Sequence, residues 1–132
     1  MKLVKESLNE DKRIDFSPKE LVQSAIDEIR SLGYKNPFDN STVIDDNVVV
    51  EVYYFDGYLH LSSIMSVIKG KGDATKVMNK ICEIADKYKI TIHLSPEPFG
   101  LGNRLNKAQL IKWYKKFGFV KDRYDDMKRY PN

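Results

Sequence analysis

The sequence predicts a mixed α/β domain built on one mostly antiparallel sheet, and two stretches of chain carry that prediction. Between residues 42 and 67 three β-prone runs (42–44, 48–55 and 58–67) are separated only by Asp45-Asp46-Asn47 and Asp56-Gly57. Short Asp/Asn/Gly connections reverse a chain into hairpins, so these runs stack as an antiparallel meander. From residue 58 to 94 the order becomes strand, glycine-containing turn, helix, strand. A strand that returns through a helix runs parallel to the one before it. At 132 residues the chain makes one domain, large enough for a working core without metal or disulfide staples.

The remaining elements follow in chain order. Residues 2–8 alternate loosely and predict a first strand. Ser17-Pro18-Lys19-Glu20 reads as a helix start: serine caps, proline suits the first helical position and glutamate completes a capping box. Leu21, Ala25, Ile26, Ile29 and Leu32 then share one face, and Gly33 ends the helix. Residues 34–40, with Pro37, are expected as loop. Beyond the meander, residues 75–88 put Val77, Ile81, Ile84, Ala85 and Tyr88 on one helical face, flanked by Met78 and Cys82. Residues 91–94 form the short returning strand. A loop holding Pro96, Pro98, Gly100 and Gly102 leads to a helix capped by Asn106, with Gln109 in the reciprocal position. Leu110, Ile111, Trp113, Tyr114 and Phe117 give that helix an aromatic face, and residues 124–130 are expected as a terminal strand.

Bulk properties exclude several classes. A net charge of +3 is too small, and the charges too interspersed, for a nucleic-acid-binding surface. The single cysteine, Cys82, rules out an internal disulfide framework and fits a reducing cytoplasm. No apolar run approaches membrane-spanning length, and the first six residues lack the apolar core of a signal peptide. A soluble cytoplasmic protein is therefore expected, and a homodimer is left open. The two histidines and one cysteine show no metal-ligand spacing, and residues 70–75 lack the Gly-Lys-Ser/Thr ending of a nucleotide-binding P-loop.

The stretch Lys69-Gly70-Lys71-Gly72-Asp73-Ala74 sits between a strand and a helix. Glycines let backbone N–H groups approach a ligand, and a helix N-terminus adds unpaired donors and a partial positive charge. Such a turn can cradle a phosphate. Further on, residues 110–119 spell Leu-Ile-Lys-Trp-Tyr-Lys-Lys-Phe-Gly-Phe. Together the two segments resemble the GNAT superfamily of acyl-coenzyme A-dependent N-acetyltransferases. The family's pyrophosphate signature, Gln or Arg, two residues, Gly, one residue, Gly or Ala, corresponds here to Lys69, Gly72 and Ala74. Its late tyrosine followed by Gly-Phe corresponds to Tyr114, Gly118 and Phe119. The likeness covers residues 42–131, and the first forty only by topology.

The resemblance implies helices on both faces of the sheet, with strands 58–67 and 91–94 parallel and splayed apart near Ile64 to Ser66. It implies transfer of an acetyl group from acetyl-coenzyme A to a primary amine. Lys69 and the backbone of Gly70, Lys71, Gly72, Asp73 and Ala74 would hold the pyrophosphate, with Thr75 adding a hydroxyl. Lysine keeps the charge of the family's arginine but not its fork. Lys71 and Lys76 either contact phosphate or stay solvated. Main-chain groups of Ile64, Met65 and Ser66 would pair with the pantetheine arm. Tyr114 would protonate the departing thiolate; otherwise it is one more packed aromatic. For the general base the strand offers His60 rather than an acid, with His93 and Glu97 as further candidates; otherwise His60 is a satisfied structural residue, and a water relay or no enzymic base at all serves the reaction. A module that keeps the fold without the chemistry is the alternative. The acceptor is not legible.

Overall fold

The computed structural model describes residues 18–67, 73–97 and 105–132. The expected strand at 2–8, the Ser17 cap and the turn residues Lys69 to Gly72 lie outside them.

Helix α1 spans Lys19–Arg30 and buries Val22, Ala25, Ile26 and Ile29. Its stripe is therefore anchored by Val22, and Leu21, expected inside, is 38% exposed. Pro18, expected at the first helical position, holds the N-cap position with ψ 144° and no side-chain hydrogen bond, and the expected Ser17–Glu20 box lies outside the described residues. The chain then enters β1 (Tyr34–Lys35), where a loop was expected, because Tyr34 and Lys35 pair with Val43 and Thr42 of β2 (Thr42–Ile44). Gly33 serves that pairing. A Cβ there would lie 2.0 Å from the Val43 carbonyl oxygen, so only glycine lets α1 hand the chain to the sheet edge.

The meander continues through β3 (Val48–Phe55) and β4 (Tyr58–Ser66). At the first turn Asp45 and Asp46 both have φ 57°; at the second Asp56 has φ 52° and Gly57 φ 90°. Two successive left-handed residues give the turn geometry whose twist matches that of antiparallel strands. Glu51 opposes Ser63 and Val52 opposes Leu61, leaving Ser62 as a bulge. The bulge moves the inward face from Leu59 and Leu61 to Ile64 and bends β4.

Helix α2 (Asp73–Tyr88) starts two residues earlier than expected and buries Val77, Met78, Ile81, Cys82, Ile84 and Ala85. It leads to β5 (Ile92–Leu94), parallel to β4 through Leu59–Ile92 and His60–His93. Pairing ends there, so the two strands part several residues before Ile64, earlier than expected. Helix α3 (Lys107–Lys115) carries the expected capping box between Asn106 and Gln109. The C-terminal part holds two short strands, β6 (Val120–Lys121) and β7 (Met127–Arg129), instead of one at 124–130. Tyr124 lies in the turn between them, with φ 55° and almost fully exposed.

Among the described residues seven strands form one sheet in the order β1-β2-β3-β4-β5-β7-β6, every pair antiparallel except β4–β5. One face, with Leu59, Ile92 and Arg129 in register, meets α1 and α2, which pack on each other. Arg129 ties α3 to this face as well, donating from Nε to the Phe117 carbonyl at 2.7 Å and forking onto Asp86 of α2 at 2.8 and 3.0 Å. The opposite face carries Tyr53, His60, His93 and Lys128 in a row across four strands.

Candidate functional site

The expected phosphate turn ends inside the described residues at Asp73, Ala74 and Thr75, which open α2. Asp73 is held there by an interaction across the fold: Asn47 Nδ2, from the β2–β3 turn, donates to Asp73 Oδ2 at 2.6 Å. An acidic residue in the first turn also suits the helix dipole. Its carboxylate is thus structural. Thr75 and Lys76 are exposed at the same helix end. Ile64 is buried in the core, while Met65 and Ser66 are half-buried. Beyond His60, β4 pairs only with β3 among the described residues, so the main chain of residues 61–66 presents an open edge toward β5.

Tyr114 is 5% exposed, its ring packed against Trp113 at 5.2 Å and Phe119 at 5.6 Å. Burial pushes its phenol up to about 12. The hydroxyl makes no hydrogen bond among the described residues. Cys82 is the buried structural thiol the sequence suggested, pushed up to about 11 by burial. Glu97, the third base candidate, is exposed and lies 3.6 Å from Lys107.

The two histidines, 33 residues apart, meet on the open face. His60 Nδ1 and His93 Nδ1 are 2.9 Å apart, and His93 Nε2 lies 3.0 Å from Asp126 Oδ2. Ser95 donates to the other oxygen of Asp126 at 2.7 Å. The proton positions follow from the partners. A carboxylate only accepts, so His93 donates from Nε2 and, as a neutral ring, accepts at Nδ1. His60 then donates from Nδ1, which leaves its Nε2 lone pair available. The chain runs Asp126, His93, His60, with a basic nitrogen at its far end. Burial lowers the His60 pKa below its ordinary value, aided by repulsion from His93 whenever that ring is protonated, against a smaller opposing effect of Asp126. For Asp126, burial raises the carboxyl pKa, but the bonds from Ser95 and His93 outweigh it and hold the group below its usual range. Aromatic rings wall the site: Tyr53 lies 4.9 Å and Phe55 6.2 Å from His60, and Tyr58 stacks on His93 at 5.8 Å. Lys128 lies over Tyr58 and donates to its hydroxyl at 2.9 Å.

Sequence reasoning named His60 and His93 separately and missed Asp126, Ser95 and the pairing itself. The strand register supplied them: His60 faces His93 across the parallel pair, at the last rung before β4 and β5 part. No group of His, Cys, Asp and Glu suited to a metal ion is found among the described residues. Among them, too, no helix is long and apolar enough to cross a membrane.

No known family model matches the chain, and no curated protein does. Among solved structures, the crystal structure of the anti-CRISPR protein AcrVA5 is similar, with a TM-score of 0.54 at 15% identity. The likeness covers 63% of this chain and 90% of that one, and it is a likeness of fold.

Proposed function

We propose that the protein is a GNAT-type acyltransferase that moves an acetyl group from acetyl-coenzyme A to a primary amine. The observation that carries this reading is the β4–β5 pair, parallel, joined by α2 and parted beyond His60 and His93. A pantetheine arm entering the gap would find the open main-chain edge of Ile64, Met65 and Ser66 and pair with it as an added strand. The pyrophosphate would meet Lys69, the N–H groups from Gly70 through Ala74 and the Thr75 hydroxyl at the start of α2.

The available residues then divide the chemistry. An ammonium acceptor gives its first proton to His60 Nε2, and Asp126 stabilises the resulting charge through His93. The neutral amine attacks the thioester carbonyl; a C–N bond forms, the C–S bond breaks, and the second amine proton passes to water. Tyr114 donates its phenolic proton to the departing thiolate and regains one from solvent. Holding the two reactants together at the gap supplies much of the acceleration.

The test is thiol release from acetyl-coenzyme A over a panel of primary amines, alongside calorimetric binding of acetyl-coenzyme A. Release is expected with at least one amine, and Gly72→Glu should abolish it by obstructing the phosphate approach and adding like charge. Absence of both binding and release would overturn the proposal. Binding without any release would favour the module that keeps the fold and lacks the chemistry.

A further inference from the structure

A cavity of about 360 Å³ opens at the sheet edge where β2 stops and β3 runs on. Arg30, Lys35, Asn40, Thr42, Glu51 and Tyr53 line it. It holds charges of both signs that do not satisfy each other. Arg30 uses Nη2 on the Val52 carbonyl at 3.1 Å, and Lys35 donates to the Asp39 carbonyl at 3.3 Å. The Glu51 carboxylate has neither a hydrogen bond nor an ion pair among the described residues. Thr42 is 4% exposed, and its hydroxyl has no hydrogen-bond partner among them either. A volume in the range of small-molecule sites, with a few convergent polar groups, describes a ligand pocket.

One wall leads to the histidine chain. Tyr53 lines the cavity, and its ring lies 4.9 Å from that of His60. On β4 the residues opposite Tyr53 and Glu51 are His60 and Ser63.

We propose that this cavity holds the acceptor, and that the acceptor is a small amine that also carries a carboxylate, of the free amino-acid type. Arg30, Lys35 and Thr42 take the carboxylate. Glu51 takes the ammonium, and Tyr53 guides it toward His60. Two cations against one carboxylate select against a plain amine or a polyamine, and Glu51 selects against a phosphate dianion. This assignment rests on the acyl-transfer reading for its purpose, but the pocket can be tested without it.

The experiment is calorimetric titration of the protein with each free α-amino acid, and with butylamine and butyrate as probes lacking one charge. At least one amino acid should bind at least about tenfold more tightly than either single-charge probe, since two charge-assisted contacts replace one. Lys35→Met and Glu51→Gln change side chains outside the buried core and should each weaken that binding by about tenfold or more. The same amino acid is then offered with acetyl-coenzyme A. If no amino acid binds, or butylamine binds equally well, the pocket assignment falls, even where butylamine is acetylated. If an amino acid binds through Lys35 and Glu51 and no amine releases thiol, the pocket's ligand class stands and the acyl-transfer reading falls; if that amino acid releases none while another amine does, the pocket is not the acceptor site.

Discussion

Tyr114 keeps its phenolic proton up to about pH 12 because its buried ring opposes the phenolate. It is therefore in the donor form wherever the protein would work. Replacing it by phenylalanine removes the proton and preserves the contacts with Trp113 and Phe119. Tyr114→Phe should leave melting unchanged and lower single-turnover transfer by about 10² to 10⁴-fold. Parental single-turnover rates would make Tyr114 a packing residue only. His60 predicts a different signature. Its folded pKa lies below that of the unfolded chain, so the unfolded state takes up the proton first as pH falls. Stability is unaffected above roughly pH 6.5, falls below it and levels off once the folded-state pKa is passed. Urea midpoints measured between pH 7.5 and 5 should drop in the parent and drop less in His60→Gln. Equal slopes would mean that His60 does not titrate as described. The Asp126 carboxyl, held low, acts in a separate and more acid window, where its contribution is lost as pH falls through its folded value.

Arg129 joins more elements than any sequence pattern around it suggests. From β7 it reaches α2 through Asp86 and the end of α3 through Phe117, while itself 6% exposed. The Asp86 carboxyl is lowered chiefly by the hydrogen bond from Arg129. Lysine keeps the charge but cannot make three donor contacts in one plane. Arg129→Lys should cost roughly 2 to 4 kcal/mol in chemical denaturation, with Asp86 left incompletely paired. A loss within a few tenths would show that a point charge suffices.

The same tie explains which elements were legible. The two aspartate-rich turns were readable because their residues accept positive φ, and Asn106 with Gln109 because a capping box is a local sequence motif. Strands β1 and β6, two residues each, are too short to show a period and exist only through their partners. The choice of Val22 over Leu21 was made by docking, since both fit a helical stripe. The Ser62 bulge depends on register with β3. Asp126 reaches His93 only because β7 lies beside β5, a neighbour relation that no local pattern near either residue records.

Taken as one body, the protein divides at the β4–β5 gap, with the meander on one side and three strands on the other. A ligand that fills the gap binds the folded state and not the unfolded one. Acetyl-coenzyme A at a hundred times its dissociation constant should add about 2.7 kcal/mol, which raises the melting temperature by about 5 to 15 °C for a domain of this size. An unchanged melt at millimolar cofactor would remove acetyl-coenzyme A from the account.

The order of strands has a kinetic consequence. β6 precedes β7 in the chain but lies outside it in the sheet, so the β6–β7 hairpin joins the sheet only when β7 docks on β5. The hairpins of the meander close between residues a few positions apart and can form early. The β5–β7 contact joins residues more than thirty positions apart and belongs among the slow steps. Asp126, one residue before β7, meets His93 through that docking. Partly folded chains that have formed only the meander contain His60 without its relay: His93 joins it with the β4–β5 pairing, and Asp126 completes the chain of groups only when β7 docks.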